Sequence, residues 1–273
     1  MNQLAPQMRK AAIDAAAAAG VLIREGFGRH QEVDGRPAHD LKLSLDRQCE
    51  EKIIGVIRRS FPDHAVLSEE KGYEPGREPY VWIVDPLDGT VNFFHGLPHF
   101  CTSIACHELD PQGNGSTSSL PDGRRIGEAC VGVVLDPMHD ELFVGTGDGQ
   151  ATVNGRPLTI APVADLAEAI VVVSFGVRDD SIPYMTKLLP RLTEEARKVR
   201  SLGSTALDVA QVAAGRIGAF IQRGTNLWDF AGAAAVVRAA GGIVDAQEFA
   251  PGRWRIIACN PGLYPRIKEL AAL

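Results

Sequence analysis

The chain has 273 residues, of which 45% are hydrophobic and 23% charged, a composition typical of a globular protein with a large core. Its 28 basic and 34 acidic residues give a net charge of −6, and no basic–aromatic patch is visible, which argues against a nucleic-acid polymer as partner. No apolar stretch reaches membrane-spanning length and no signal peptide is recognisable, so we expect no membrane association and a cytoplasmic location. Five scattered cysteines without metal-ligand spacing predict free, mostly buried thiols.

Two amphipathic helices are predicted at the start of the chain. Residues 4–27 place apolar side chains at helical spacing, and glycines end the pattern. The polar residues 29–40 are predicted to be a loop. Ser44 is the expected N-cap of the second helix, and Asp46 lies in its first turn, where an acid stabilises the helix dipole.

A short strand at residues 65–67 leads into two adjacent acids, Glu69 and Glu70. A solvated acidic turn would account for one of them. The other remains a candidate for chemistry.

The central stretch spans residues 82–92 and opens with an apolar, β-branched run that predicts a buried strand. Asp85 and Asp88 follow at its carboxyl end, and Gly89 and Thr90 come next. Carboxylates suit a hard cation, glycine lets backbone N–H groups approach an anion, and threonine adds a hydroxyl. The same residues could simply close a strand, since Asp-Pro and Asp-Gly are common turn pairs. Their spacing does not fit the Asp-x-Asp-Gly-Thr of haloacid dehalogenase-type enzymes, nor an EF-hand loop.

The remaining elements alternate without a linker, which predicts one compact α/β layered domain over residues 1–273. The predicted strands are 102–106, 127–135, 141–145, 169–173, 217–221, 243–244 and 255–258, and the predicted helices are 183–197, 205–214, 228–240 and 263–270. Residues 110–125 are nearly all turn formers and are predicted to be a mobile hairpin loop. A tight turn is expected at Asn154-Gly155.

A third acid, Asp229, lies in the first turn of the 228–240 helix, where it could simply complement the helix dipole. The small residues that follow it, Ala231 to Ala235, predict close packing of that helix against a neighbour.

Taken in order, these motifs resemble the inositol monophosphatase family of magnesium-dependent, lithium-sensitive phosphomonoesterases. The matching segments are Asp85-Pro-Leu-Asp88-Gly-Thr90-Val-Asn92 and Trp228-Asp229-Phe-Ala-Gly, with Ser68-Glu69-Glu70 and Gly203-Ser204-Thr205-Ala206 preceding them and Asp46 before the glutamates. Any one motif is moderately specific, and the ordered set is strong.

The resemblance implies a five-layered αβαβα sandwich of the type shared with fructose-1,6-bisphosphatase, usually a homodimer, with two to three Mg²⁺ ions per active site. The implied metal ligands are Glu69, Asp85, the carbonyl of Leu87, Asp88 and Asp229. The implied catalytic residues are Asp46, Glu69 and Thr90. The implied substrate contacts are Asp88, Gly89, Thr90, Gly203, Thr205, Gln222 and Asp229.

The family's chemistry is direct in-line attack by water on a small phosphate monoester, without a phosphoenzyme. In the implied roles, Thr90 and Glu69 orient the water, and Asp46 accepts a hydrogen bond from the Thr90 hydroxyl. An oxygen ligand set suits Mg²⁺, and the lack of a His or Cys ligand cluster argues against zinc.

Two positions depart from the family pattern. Gln222 stands where many inositol phosphatases have a glutamate, which weakens the expected preference for inositol phosphate. Lys42 stands near the acids, where its ammonium could offset charge at a third metal or simply lie on the rim. The alternatives on the same scaffold are a 3′(2′)-phosphoadenosine nucleotidase, a fructose-1,6-bisphosphatase, a histidinol phosphatase or a non-catalytic binding relative.

Overall fold

The computed structural model describes residues 4–35, 41–110, 119–160, 162–176 and 181–272. Its helices are α1 (Ala5–Gly26), α2 (Ser44–Ser60), α3 (Thr90–Phe94), α4 (Ser181–Glu195), α5 (Thr205–Ala213), α6 (Trp228–Ala239) and α7 (Tyr264–Leu270). The strands of the first half are β1 (Val33–Gly35), β2 (Lys42–Leu43), β3 (Ala65–Ser68), β4 (Gly72–Glu74), β5 (Tyr80–Asp88), β6 (Cys101–Asp110), β7 (Arg125–Asp136), β8 (Glu141–Thr146), β9 (Ala151–Val153) and β10 (Arg156–Pro157). Those of the second half are β11 (Ile170–Phe175), β12 (Lys198–Arg200), β13 (Ala219–Thr225), β14 (Ile243–Ala250) and β15 (Arg253–Cys259).

These elements stack in five layers, which confirms the predicted αβαβα sandwich. Helices α1 and α2 cover one face of an eight-stranded sheet with the order β10-β9-β8-β7-β6-β5-β3-β4. Helices α5 and α6 lie between that sheet and a five-stranded sheet with the order β12-β11-β13-β15-β14. Helices α4 and α7 cover the outer face of the second sheet. Apolar side chains fill each interface because every sheet has two faces to bury.

The predicted close packing of α6 is confirmed by its contact with the first sheet. A Cβ added to Gly232 would lie 2.6 Å from the Ser103 Oγ, and one added to Gly132 on β7 would lie 2.2 Å from the Gly232 carbonyl oxygen. Both positions therefore need glycine. This close approach places the first turn of α6, with Asp229, beside the ends of β5 and β6.

Several local predictions were wrong. Residues 33–35 lie in β1, which pairs with β2, whereas residues 29–40 were expected to be a loop. The N-cap of α2 is Leu43, and Ser44 is the first helical residue, because the carboxylate of Asp46 accepts the Leu43 N–H at 2.8 Å. The short edge strands β4 and β12 were missed, since three residues carry too little pattern to be read as strands.

The hairpin between β6 and β7 matches its prediction where it is described. The two strands pair antiparallel, and Ser119 bridges to Arg125. Residues 111–118 of the predicted loop lie outside the described residues, so its mobility stays a prediction. All five cysteines are free, and four of them are buried, as predicted.

Among the described helices, none combines the length and the hydrophobicity that a membrane crossing requires.

Candidate active site

Two parallel strands deliver the first acids of the site. Ser68 at the end of β3 pairs with Val84 on β5, and the Glu69 N–H donates to the Val84 carbonyl at 3.2 Å. Glu69 therefore leaves its strand directly beside Asp85. The carboxyl ends of neighbouring parallel strands meet at one edge of a sheet, so this juxtaposition follows from the topology.

Strand β5 does not end with the apolar run but includes both Asp85 and Asp88, which are separated by a bulge. The pairing with β6 shifts between Asp85 and Asp88, and the Leu87 N–H donates to the Asp85 Oδ1 at 3.1 Å. The bulge turns the backbone so that both carboxylates stay at the same sheet edge. The Leu87 carbonyl, an implied metal ligand, lies on this bulge.

The turn after the bulge depends on a glycine. Gly89 has φ of +94°, and a Cβ there would lie 3.0 Å from the His99 carbonyl oxygen, so a larger residue would be strained and crowded. Helix α3 then begins at Thr90. Gly89 and Thr90, where the family resemblance implies the phosphate contacts, are half-buried.

The second half of the chain holds Asp88 in place. Its Oδ2 accepts hydrogen bonds from the Ser204 hydroxyl at 2.7 Å and from the Ala206 N–H at 2.6 Å. Both donors lie at the start of α5, within the Gly203-Ser204-Thr205-Ala206 motif. Sequence reasoning assigned no role to Ser204, although its place just before a helix is a signal for a polar capping side chain.

Asp229 enters from the first turn of α6. Its Oδ2 accepts hydrogen bonds from the Thr225 hydroxyl at 2.6 Å and the Asn226 N–H at 2.8 Å. Strand β13 ends at Thr225, so the end of the second sheet fixes this carboxylate.

These acids lie close enough to repel one another. We call Asp46, Glu69, Asp85, Asp88 and Asp229 the carboxylate cluster. Burial, and then repulsion from Asp229, raises the pKa of Glu69 well above the usual carboxyl range. Burial and repulsion from Glu69 do the same to the pKa of Asp85, which is 2% exposed.

The pKa of Asp88 is raised to about 7, chiefly by burial, while the hydrogen bond from Ser204 partly opposes the shift. The carboxylate cluster is therefore a concentration of like charge that a cation would relieve.

Oxygen donors in this arrangement suit Mg²⁺ by type. Among the described side chains, the hydrogen bonds of Asp85 and Asp88 each use one carboxylate oxygen, which leaves the other for a cation. Within the same described ranges, no three His, Cys, Asp or Glu side chains are arranged as they would be around a bound ion. The carboxylate cluster thus supplies ligand oxygens of the right type. Because these carboxylates repel one another, their oxygens would come closer together only around a bound cation.

One expected contact differs from the structure. The Thr90 hydroxyl donates to the Leu87 carbonyl at 2.9 Å, while Asp46 caps its own helix through Leu43. The single hydroxyl proton of Thr90 is therefore directed at the bulge and not at Asp46. Asp46 still belongs to the cluster, because its charge raises the pKa of both Glu69 and Asp85.

The implied substrate contacts of the second half lie beside the cluster. Gln222 on β13 is 6% exposed, and its Oε1 accepts from the Thr205 hydroxyl at 2.8 Å. Gly203 has φ of +93°, and a Cβ there would lie 2.9 Å from the Asn92 Nδ2. That Nδ2 donates to the His99 and Leu202 carbonyls at 2.8 Å. The central motif and the α5 motif are therefore joined directly.

A cavity of about 840 Å³ lies elsewhere, between the far ends of β6 and β7 and helix α6. His107, Ile126, Phe230, Arg238 and Trp254 are among the residues that line it, and none of the predicted site residues does. The size of this cavity does not make it the candidate active site, because the reactive side chains lie in the carboxylate cluster.

The chain resembles known proteins over nearly its whole length. The family model described as "Inositol monophosphatase family" matches residues 5–114 and 125–272. The chain is 35% identical to inositol monophosphatase 1 of Solanum lycopersicum over 274 residues, covering 96% of this chain and 93% of that protein. It is 36% identical to Nus factor SuhB of Escherichia coli (strain K12) over 265 residues, covering 93% and 91%. A solved inositol monophosphatase from Anabaena superposes with a TM-score of 0.79 at 31% identity, covering 97% and 95%.

Proposed function

The chain belongs to the inositol monophosphatase family, and on that premise we propose that it is a Mg²⁺-dependent phosphatase of small phosphate monoesters, with inositol monophosphate or another polyol or sugar phosphate as substrate. The observation that carries the proposal is the carboxylate cluster, which gathers acids from α2, β5, α6 and the end of β3 beside the half-buried turn at Gly89.

In this proposal two to three Mg²⁺ ions bind at the cluster. The residues that would hold them are Glu69, Asp85, the Leu87 carbonyl, Asp88 and Asp229. Bound Mg²⁺ supplies neutralisation of the phosphate charge and lowers the pKa of coordinated water. A phosphate ester dianion needs this help because it repels an approaching hydroxide.

The chain's own residues perform the remaining tasks. The N–H groups at Gly89 and Thr90 bind the phosphate, and the Thr90 hydroxyl with Glu69 orients the water that attacks in line. Asp88, Gly203, Thr205, Gln222 and Asp229 surround the alcohol part of the substrate. Asp46 acts by its charge, beside Glu69 and Asp85.

Phosphate release from a panel of esters, measured with and without Mg²⁺, tests the proposal. We expect turnover of inositol 1-phosphate and of other small esters, abolished by EDTA and suppressed by Ca²⁺, because Ca²⁺ is larger and accepts looser geometry. Activity that survives EDTA would contradict the metal assignment. The same panel separates the alternatives, since a nucleotidase would prefer 3′-phosphoadenosine nucleotides. Lithium sensitivity and a homodimer are expected from family membership and are checked by LiCl titration and by light scattering.

A second candidate function, a binding role, comes from the relatives named Nus factor SuhB, because that name states no phosphatase activity. For this chain, a binding role would use the same scaffold without hydrolysis. Introducing the wild type and Asp85→Asn into an Escherichia coli strain that lacks SuhB distinguishes binding from hydrolysis. If both proteins restore the function that the strain has lost, binding is favoured. If only the wild type restores it, hydrolysis is favoured.

A further inference from the structure

One of the two adjacent glutamates was expected to lie in a solvated turn, but the side chain of the second, Glu70, is largely buried. The Glu70 side chain is 9% exposed, and its Oε1 accepts from the Lys42 Nζ at 2.9 Å. Its backbone N–H donates to the Glu50 Oε2 at 2.8 Å. The main chain of Glu70 is thus tied to Glu50 on α2, and its side chain to Lys42 just before α2.

Glu50 is an unusual partner because its carboxylate is fully buried. It lies one helical turn after Asp46 on α2 and has no solvent exposure. Among the described residues, its Oε1 has no hydrogen-bond partner of normal length, and the Ser68 hydroxyl interacts with the carboxylate only weakly, since burial still raises the pKa of Glu50. Burying a carboxylate costs free energy unless its bonds compensate, so its position requires an explanation beyond helix packing.

The Glu50 contact constrains Glu69. The Glu69 N–H is held by the Val84 carbonyl at 3.2 Å, and the peptide group that follows Glu69 is held by Glu50. Because each peptide group is planar, fixing the groups on both sides of Glu69 fixes its backbone torsions and the direction of its Cβ. Glu69 therefore points at Asp85, while Glu70 points at Lys42.

We propose that Glu50 is a positioning residue that directs Glu69 into the carboxylate cluster as a ligand for the divalent cation, with Lys42 holding Glu70 away from it. The inference rests on the proposed Mg²⁺ site. Partners that orient a ligand from behind typically contribute 10–100-fold to metal affinity.

Mg²⁺ titration by calorimetry, without substrate, tests the proposal on the full chain. Glu50→Ala should weaken Mg²⁺ binding by about 10–100-fold. Glu50→Gln keeps an oxygen acceptor for the Glu70 N–H and should remain within about fivefold of the wild type. Glu51→Ala is the matched control, because Glu51 is exposed on the same helix and pairs only with Lys71, at 3.8 Å, among the contacts of its side chain in the described structure. It should not change Mg²⁺ affinity.

Thermal unfolding in EDTA, recorded for each variant, separates positioning from a purely structural role. A folded Glu50→Ala that binds Mg²⁺ like the wild type would overturn the proposal, whatever its stability. So would a loss of affinity that Glu50→Gln fails to restore, because the acceptor oxygen would then not be what matters.

If Glu50→Ala does not fold, Glu50→Asp carries the same test. Its carboxylate is one methylene too short to reach the Glu70 N–H, so about tenfold weaker binding is expected and unchanged binding would refute the proposal. A wild type that binds no Mg²⁺ would overturn the proposed function and this inference together. A wild type that binds Mg²⁺, with unchanged affinity in Glu50→Asp, would overturn this inference alone.

Discussion

The two ends of strands β3 and β5 bury titratable groups in opposite ways. At the amino ends, His64 stacks on Tyr80 with ring centroids 4.9 Å apart, contacts Phe61, and accepts the Trp82 Nε1–H at 3.1 Å. We call these four residues the aromatic cluster. At the carboxyl ends, the carboxylate cluster places like charges side by side.

The difference shows where the molecule gives up stability for chemistry. In the aromatic cluster, a neutral imidazole offers the acceptor nitrogen that Trp82 needs, and burial lowers the pKa of His64 to about 4. In the carboxylate cluster, burial and mutual repulsion raise the pKa of Asp85 and Glu69, and the charge of Lys42 opposes the shift of Glu69 only in part. Perturbed acids of this kind are typical of functional sites.

The largest expected effect follows from removing one charge from the carboxylate cluster. Asp85→Asn should abolish Mg²⁺ binding and measurable turnover, because Asp85 is one of the proposed metal ligands and the change removes its negative charge. The same change should stabilise the metal-free protein by about 1–2 kcal/mol, since it relieves buried repulsion. Calorimetric Mg²⁺ titration, phosphate release and unfolding in EDTA measure the three effects. A variant that is less stable than the wild type in EDTA would contradict the contrast between the two ends.

Thr90→Ala should affect turnover without removing charge. We expect kcat to fall by about 10²–10⁴, the usual range for an orienting or proton-transfer group, with Mg²⁺ affinity nearly intact. Thr186→Ala is a matched control, because that hydroxyl bonds the Ile182 carbonyl on the exposed side of α4. Loss of Mg²⁺ binding as severe as in Asp85→Asn would show that the Thr90–Leu87 contact holds the metal site and not the water.

Asp46→Asn tests whether Asp46, which caps α2, acts independently of Thr90. Because Asp46 and Thr90 bond different partners in the structure, their effects on kcat should add in the double variant to within about 0.5 kcal/mol. The cycle is measured from kcat of the wild type, both single variants and the double variant. A double variant no slower than Thr90→Ala would restore the direct Asp46–Thr90 partnership that the family resemblance implied.

The aromatic cluster predicts a pH dependence of stability. The pKa of His64 is lowered in the folded state, so its neutral form stabilises the fold above the unfolded pKa of about 6.5. That contribution should be lost as the pH falls from 6.5 through 4 and amounts to at most about 3 kcal/mol. Denaturant unfolding at pH 7 and pH 4 should therefore show a smaller difference in His64→Gln than in the wild type. Equal differences would show that another group carries the acid sensitivity.

The smallest expected effect comes from adding a charge at the edge of the carboxylate cluster. Gln222→Glu should raise the preference for inositol 1-phosphate over glycerol 2-phosphate by about tenfold, because a carboxylate bonds a hydroxyl more strongly than an amide does. In the wild type that preference should stay below about 10³-fold. The ratio of kcat/KM values measures both, and a Gln222→Glu ratio below that of the wild type would remove Gln222 from the substrate contacts.

The sequence by itself determined the parts that depend on neighbours along the chain. The apolar run before Asp85 predicted a buried strand, Gly89 predicted a turn, and Ala231 to Ala235 predicted a closely packed helix, because each is a matter of local propensity and side-chain size. The layered α/β architecture followed from the alternation of such elements, and the family resemblance made it specific.

Only the tertiary structure decided what holds two neighbouring acids in different directions. Glu69 and Glu70 are equivalent by local pattern, and they are separated by Val84 on one side and by Glu50 and Lys42 on the other. Asp88 likewise depends on Ser204, more than a hundred residues away along the chain. Such contacts arise when sheets and helices pack, and no local periodicity encodes them, because the partners meet only after the chain has folded.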